Sequence, residues 1–135
     1  VLARFKKAVL LVAGSAVQKL MMQLGKEQEV LMNIADMIIT VYVAESMMLR
    51  IERLVGERGA EACSLHLDML HTHLFDAADR MLKSGKDALC SFAEGDELRM
   101  MLMGLRRFSK MEPLNTKETR RRIADAMIAA NQYCF

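Results

Sequence analysis

Tryptophan is absent from this chain of 135 residues, aromatic side chains make up 5%, and proline occurs once, at Pro113. So few rings leave no platform on which single-stranded bases could stack. With no proline before residue 113, almost nothing interrupts a helix over most of the chain. The seven glycines are never adjacent, and no Gly-x-Gly-x-x-Gly, P-loop or nucleophile elbow is present. Backbone cradles for phosphate and strained catalytic turns are therefore missing. Cys63, Cys90 and Cys134 are odd in number, far apart and without Cys-x-x-Cys spacing. That pattern argues against zinc and against a disulfide scaffold, and leaves reduced cytosolic thiols as the default. No run reaches the roughly 18 uninterrupted apolar residues of a spanning helix.

What is abundant is aliphatic. Hydrophobic residues make up 53% of the chain and methionines number 13. Such a length supports one domain with a real core, and methionine fills its irregular gaps. Val30, Ile34, Met37, Val41, Ala44, Met48, Ile51 and Val55 recur at alternating spacings of four and three. This is the seam of a long helix packed lengthwise on its neighbours.

The same periodicity predicts five helices. The first covers about Leu2 to Leu24, with Leu2, Phe5, Val9, Val12, Ala16, Leu20 and Leu24 inward and Gly25 as its C-terminal cap. The second covers about Glu27 to Val55; with so little chain between them the two form either a tight antiparallel hairpin, the favoured reading, or one kinked helix, and a turn at residues 56–59 follows. The third covers about Ala60 to Ala93, passes through Gly85, and places Cys63 and Cys90 on its apolar side. Along its wet side, Asp76 with Arg80 and Asp79 with Lys83 stand four apart in the favourable order. Lys83 with Asp87 repeats that spacing in reverse. Asp96 suits the N-cap of the fourth helix, whose inward residues are Leu98, Met101, Leu102, Leu105 and Phe108. Asn115, with Glu118 three residues later, starts the fifth, which reaches about Asn131. Long helices and short loops predict an all-α, antiparallel up-and-down bundle of five helices with a four-helix core, in one domain over residues 1–135.

The polar residues supply no obvious reaction. His66, His71 and His73 share one helix, whereas a bundle metal site draws ligands from facing helices. They are expected at the surface or half-buried, with no metal. Asp76/Asp79 and Asp96/Glu97 lie in wet positions beside basic residues and are not expected to act as acid and base. Net charge is +2, laid out as +5 over residues 1–26, −7 over 27–105 and +4 over 106–135. Basic ends around an acidic middle are expected to pair within one bundle. The cluster Arg120-Arg121-Arg122 is read likewise as solvated or acid-paired, not as a nucleic-acid site. A second reading makes the first helix, with Lys6, Lys7 and Lys19, a membrane-surface or anionic-ligand module.

Gln28-x-x-Leu31-x-x-x-Ala35-Asp36-x-x-Ile39-x-x-Tyr42 resembles a helix in the extra C-terminal region of very-long-chain-type acyl-CoA dehydrogenases. The stretch from Ser91 through Glu94, Gly95, Asp96 and Arg99 to Phe108, and the tail Tyr133-Cys134-Phe135, look like the ends of bacterial members. The resemblance implies the last part of a longer cytoplasmic flavoenzyme, consistent with a chain that opens at Val1 already in helical pattern. That enzyme would oxidise acyl-CoA to trans-2-enoyl-CoA with FAD, using a base and flavin contacts in the preceding part. No catalytic, cofactor-binding or metal residue is carried onto this sequence. The implied partners are the catalytic part of the same chain and other copies in a homo-oligomer, with peripheral membrane contact in some members. Met21, Met22, Met47, Met48, Met100 and Met101 are the candidate contact residues, since methionine suits adaptable surfaces.

Overall fold

The computed structural model describes all residues, 1–135. Five α-helices are joined by short connections: α1 (Leu2–Leu20), α2 (Gln28–Arg58), α3 (Ser64–Phe92), α4 (Gly95–Ser109) and α5 (Thr116–Ala130). There is no strand. Helices α1 to α4 run alternately up and down. Lys6 of α1 meets Glu45 of α2 at 2.6 Å, and Lys19 meets Glu97 of α4 at 2.5 Å. The start of α1 thus lies beside the second half of α2, and the end of α1 beside the start of α4, as antiparallel packing requires. Helix α1 touches α2, α3 and α4, while α2 and α4 do not touch each other. The four-helix core is therefore a flattened diamond with α1 and α3 across its short diagonal. Helix α5 packs on α3 alone.

The α2 seam is inward, with Val30, Ile34, Met37, Val41, Ala44 and Ile51 buried and Met48 and Val55 packed at its margin. Phe5 and Val12 of α1, Met81 and Leu89 of α3, and Leu105 of α4 are fully buried in the same core. Each such side chain contributes roughly 1.5–3 kcal/mol when taken out of water. Leu2–Lys26 and Gln28–Arg58 each contain an 18-residue window of mean hydropathy 1.4, long and apolar enough by composition to cross a membrane. Here their buried stripes line the bundle core.

The helix ends depart from expectation in instructive ways. Helix α1 stops at Leu20, and Met21–Lys26 tighten into a 3-10 turn. Met21 (φ 46°), not Gly25, takes the left-handed φ, and its N–H donates to the Val17 carbonyl. Helix α2 continues through Gly56, where a turn was expected, and stops at Gly59. Gly59 has φ 86°, which favours glycine, and its N–H donates to the Val55 carbonyl at 2.9 Å. A turn through residues 60–63 follows, so α3 starts at Ser64 rather than Ala60. Asp96 does not cap α4. Glu94 occupies that position and Asp96 and Glu97 fill the first turn, where negative charge still favours the positive end of the helix. Asn115 caps α5 as expected, its Oδ1 accepting from the Glu118 N–H at 3.3 Å.

Helix α3 passes through Gly85 unbroken, and Leu105 fills the space a side chain there would occupy. A Cβ at Gly85 would lie 2.8 and 2.9 Å from the two methyl carbons of Leu105. Glycine thus lets α3 and α4 approach closely. Gly85→Val should cost about 1–3 kcal/mol by overpacking, and Leu105→Ala about 2–5 kcal/mol by leaving a cavity. In urea unfolding, the double variant should lose clearly less than the sum of the two, because each change relieves the other. Strict additivity would contradict the close approach.

Candidate functional site

The polar groups picked out in the sequence do not converge. His71 is exposed, and the rings of His66 and His73 are half-buried. No group of three His, Cys, Asp or Glu side chains could hold a metal ion. His66 sits at a cleft between α2 and α3, its ring edge-on to Phe135 with centroids 5.7 Å apart. Both of its ring nitrogens are shielded from solvent and lack a hydrogen-bond partner, as is Nε2 of His73. Burial, reinforced by the nearby charge of Arg80 and opposed by Asp76, holds the His73 pKa below its ordinary 6.5.

Two of the three clustered arginines, Arg120 and Arg122, are acid-paired with partners on another helix, while Arg121 is exposed and solvated. Arg122 Nε and Nη2 donate to the Asp68 carboxylate at 2.8 and 2.9 Å. Arg120 Nη2 donates to both oxygens of Asp76 at 2.9 and 2.8 Å. Between them the hydroxyl of Thr72 donates to that of Thr119 at 2.9 Å in a buried bond. These contacts clasp α5 to α3. The fork from Arg122 holds the Asp68 carboxyl below its ordinary range, against the opposing pull of desolvation. Asp76 therefore serves Arg120, not Arg80, and the Asp79–Lys83 pair does not form, because Lys83 pairs with Asp87. Of the three lysines in the lipid-facing reading of the first helix, Lys6 and Lys19 are paired with Glu45 and Glu97, and Lys7 is exposed without an acid partner.

Cys63 is buried, but Cys90 is exposed, contrary to the expected apolar placement. One position earlier, Leu89 occupies the core, and a step of one residue turns the next side chain away from it. The candidate methionines divide in the same way. Met21, Met22 and Met100 are exposed, whereas Met47, Met48 and Met101 pack against the core margin.

A different set of residues forms a continuous feature. Lys6, Val9, Leu10, Ile38, Val41, Tyr42 and Glu45 line an open groove of about 430 Å³ between α1 and α2. Leu10 is 71% exposed, Tyr42 70% and Ile38 52%. On the other flank of α1, Leu11, Glu97, Met100 and Met101 line a second groove of about 470 Å³. Leu10 and Leu11, adjacent in sequence, thus lean to opposite sides of one ridge. Sequence reasoning missed this face. Its signal was the doublets Met37-Ile38 and Val41-Tyr42, which give α2 a second apolar stripe beside the one that fills the core.

Comparison with known proteins accords with this architecture. Residues 4–107 match the family described as acyl-CoA dehydrogenase, C-terminal domain. A probable acyl-CoA dehydrogenase of Bacillus subtilis (strain 168) is 36% identical over 130 residues, covering 95% of this chain and 22% of that protein. The crystal structure of an acyl-CoA dehydrogenase complexed with FAD from Bacillus anthracis matches with a TM-score of 0.95 at 34% identity. That match covers 99% of this chain and 23% of the other. The chain belongs to the acyl-CoA dehydrogenase C-terminal domain family and spans about a fifth of the length of these relatives.

Two substitutions test the histidine environments. His66→Leu removes a shielded, unpartnered imidazole and should stabilise the fold by about 1 kcal/mol; a large loss in thermal unfolding would show that the ring has a partner. Because the folded pKa of His73 lies below 6.5, the unfolded chain takes up that proton first as pH falls. Its contribution is therefore complete above about 6.5 and is lost as pH drops toward the folded value. Asp68 gives a second loss below 3.8, as pH falls through its lowered folded pKa. His73→Met should flatten the first decline in urea midpoints and leave the second.

Proposed function

We propose that this bundle is a packing domain of an FAD-dependent acyl-CoA dehydrogenase, and that the complete chain oxidises acyl-CoA to trans-2-enoyl-CoA. The observation that carries the reading is the match to an FAD-complexed acyl-CoA dehydrogenase over 99% of this chain at a TM-score of 0.95. The pattern from Gln28 to Tyr42 supports the narrower very-long-chain-type branch. In that reading the protein is cytoplasmic and its copies associate as a homo-oligomer.

The flavin belongs elsewhere in the longer chain. FAD needs donors for its pyrophosphate and polar groups for its ring edge, whereas the α1/α2 groove is apolar apart from Lys6 and Glu45. Those two satisfy each other. The groove residues therefore do not fit the cofactor, and no chemical step is assigned to them. Their contribution is mechanical: a preformed rigid bundle costs little entropy when it packs against another body.

The complete natural chain containing these residues should purify with yellow flavin absorbance and bleach on addition of acyl-CoA. Residues 1–135 expressed alone should be colourless. Complete chain that carries no flavin, or flavin that acyl-CoA fails to reduce, would overturn the assignment.

A further inference from the structure

The two long faces of the bundle are finished differently. On the α3 side, α5 lies over the helix and is held by the Arg120–Asp76 and Arg122–Asp68 pairs and the buried Thr72–Thr119 bond. On the α1 side no helix covers the ridge. There Leu10 and Val17 stand exposed one above the other, with Ile38 and Tyr42 on one flank and Met100 on the other. An apolar face shared by three helices and rimmed by polar groups marks a contact surface.

We infer that the α2–α1–α4 face, centred on Leu10 and Tyr42, is the surface on which the flavin-bearing body of the longer acyl-CoA dehydrogenase chain docks. The inference rests on the functional reading above and adds the face that was not assigned. The relatives are four to five times longer than the matching region, which covers 22% and 23% of them. Since the family is a C-terminal domain, the additional chain precedes it. That chain joins at the start of α1, the helix that forms the ridge. Leu10 lies about 14 Å along the helix axis from Val1, at 1.5 Å per residue. The body is thus tethered at one end of the bare face, and tethering gives it a high effective concentration there over any free partner. A lipid surface fits less well, because two of the three lysines of α1, Lys6 and Lys19, are already paired with Glu45 and Glu97, which leaves exposed Lys7 as the one α1 lysine for an anionic headgroup. The grooves on either side of α1 would receive apolar side chains from the body.

The test uses the complete chain with the photoreactive residue p-benzoylphenylalanine in place of Tyr42, followed by peptide mapping of the crosslinks. Crosslinks to peptides of the flavin-bearing body are expected. Leu10→Glu, a change at an exposed helical site that leaves the bundle core intact, should sharply reduce their yield. Crosslinks to residues 1–135 of a second copy, crosslinks to lipid, or no crosslink at all would each overturn the inference. So would a Leu10→Glu variant that crosslinks to the body undiminished. Flavin absorbance and bleaching by acyl-CoA in the same samples report separately on the functional reading. A yellow, reducible enzyme lacking the crosslink rejects the docking face alone.

Discussion

Helix α3 must bury two opposite sides at once, and the rest of the fold follows from that demand. Its seam of Leu74, Ala77, Met81, Ala88 and Leu89 closes on α1, α2 and α4, while Thr72 and the carboxylates Asp68 and Asp76 face α5. A helix of 29 residues is about 44 Å long at 1.5 Å per residue. It can therefore serve all four neighbours along its length, provided its own side chains leave room. Gly85 supplies that room where Leu105 inserts. The small residues Ala77 and Ala88, both fully buried, let adjacent helices approach at other levels.

Electrostatics finishes the assembly. The uneven charge of the chain becomes cross-helix pairing, with Lys6 and Lys19 of the basic beginning meeting acids on α2 and α4. Arg120 and Arg122 of the basic end meet acids on α3. Exposed pairs of this kind are worth little individually. Their collective effect is orientation: each cross-helix pair forms only in one register, and the forked Arg122–Asp68 pair fixes the rotation of α5. Apolar burial holds the bundle together, and the ion pairs select among nearby ways of stacking it.

The apolar surplus gives the domain its character. A bundle of this size needs one stripe per helix for its core, but α1 and α2 each carry more. Leu10, Val17, Ile38 and Tyr42 are exposed at no benefit to the domain itself. The docking proposed above would cover this surplus, and the two longer relatives have ample additional chain to do so. Interfaces between domains draw on the same packing physics as a core, with a more polar rim.

Helix number, helix direction and the inward faces were legible in the sequence because the 3.6-residue period records burial directly. The α2 seam and the Asn115 cap are the clearest cases, and the absence of proline before residue 113 made the long helices readable. The ends were less legible. Gly25 and Asp96 offered sound local capping chemistry, but tertiary packing chose Met21 and Glu94, since a cap is worth only about 1 kcal/mol and core burial outweighs it. Local spacing also misassigned Asp76, because the sequence shows a basic residue four positions on and cannot show another helix bringing Arg120 nearer. By itself, then, the sequence determined the five helices and their apolar seams, properties of residues near one another in the chain. Only the tertiary structure decided which acids meet which arginines, which methionines are covered and which face is left bare, since each depends on side chains that folding brings together from distant positions.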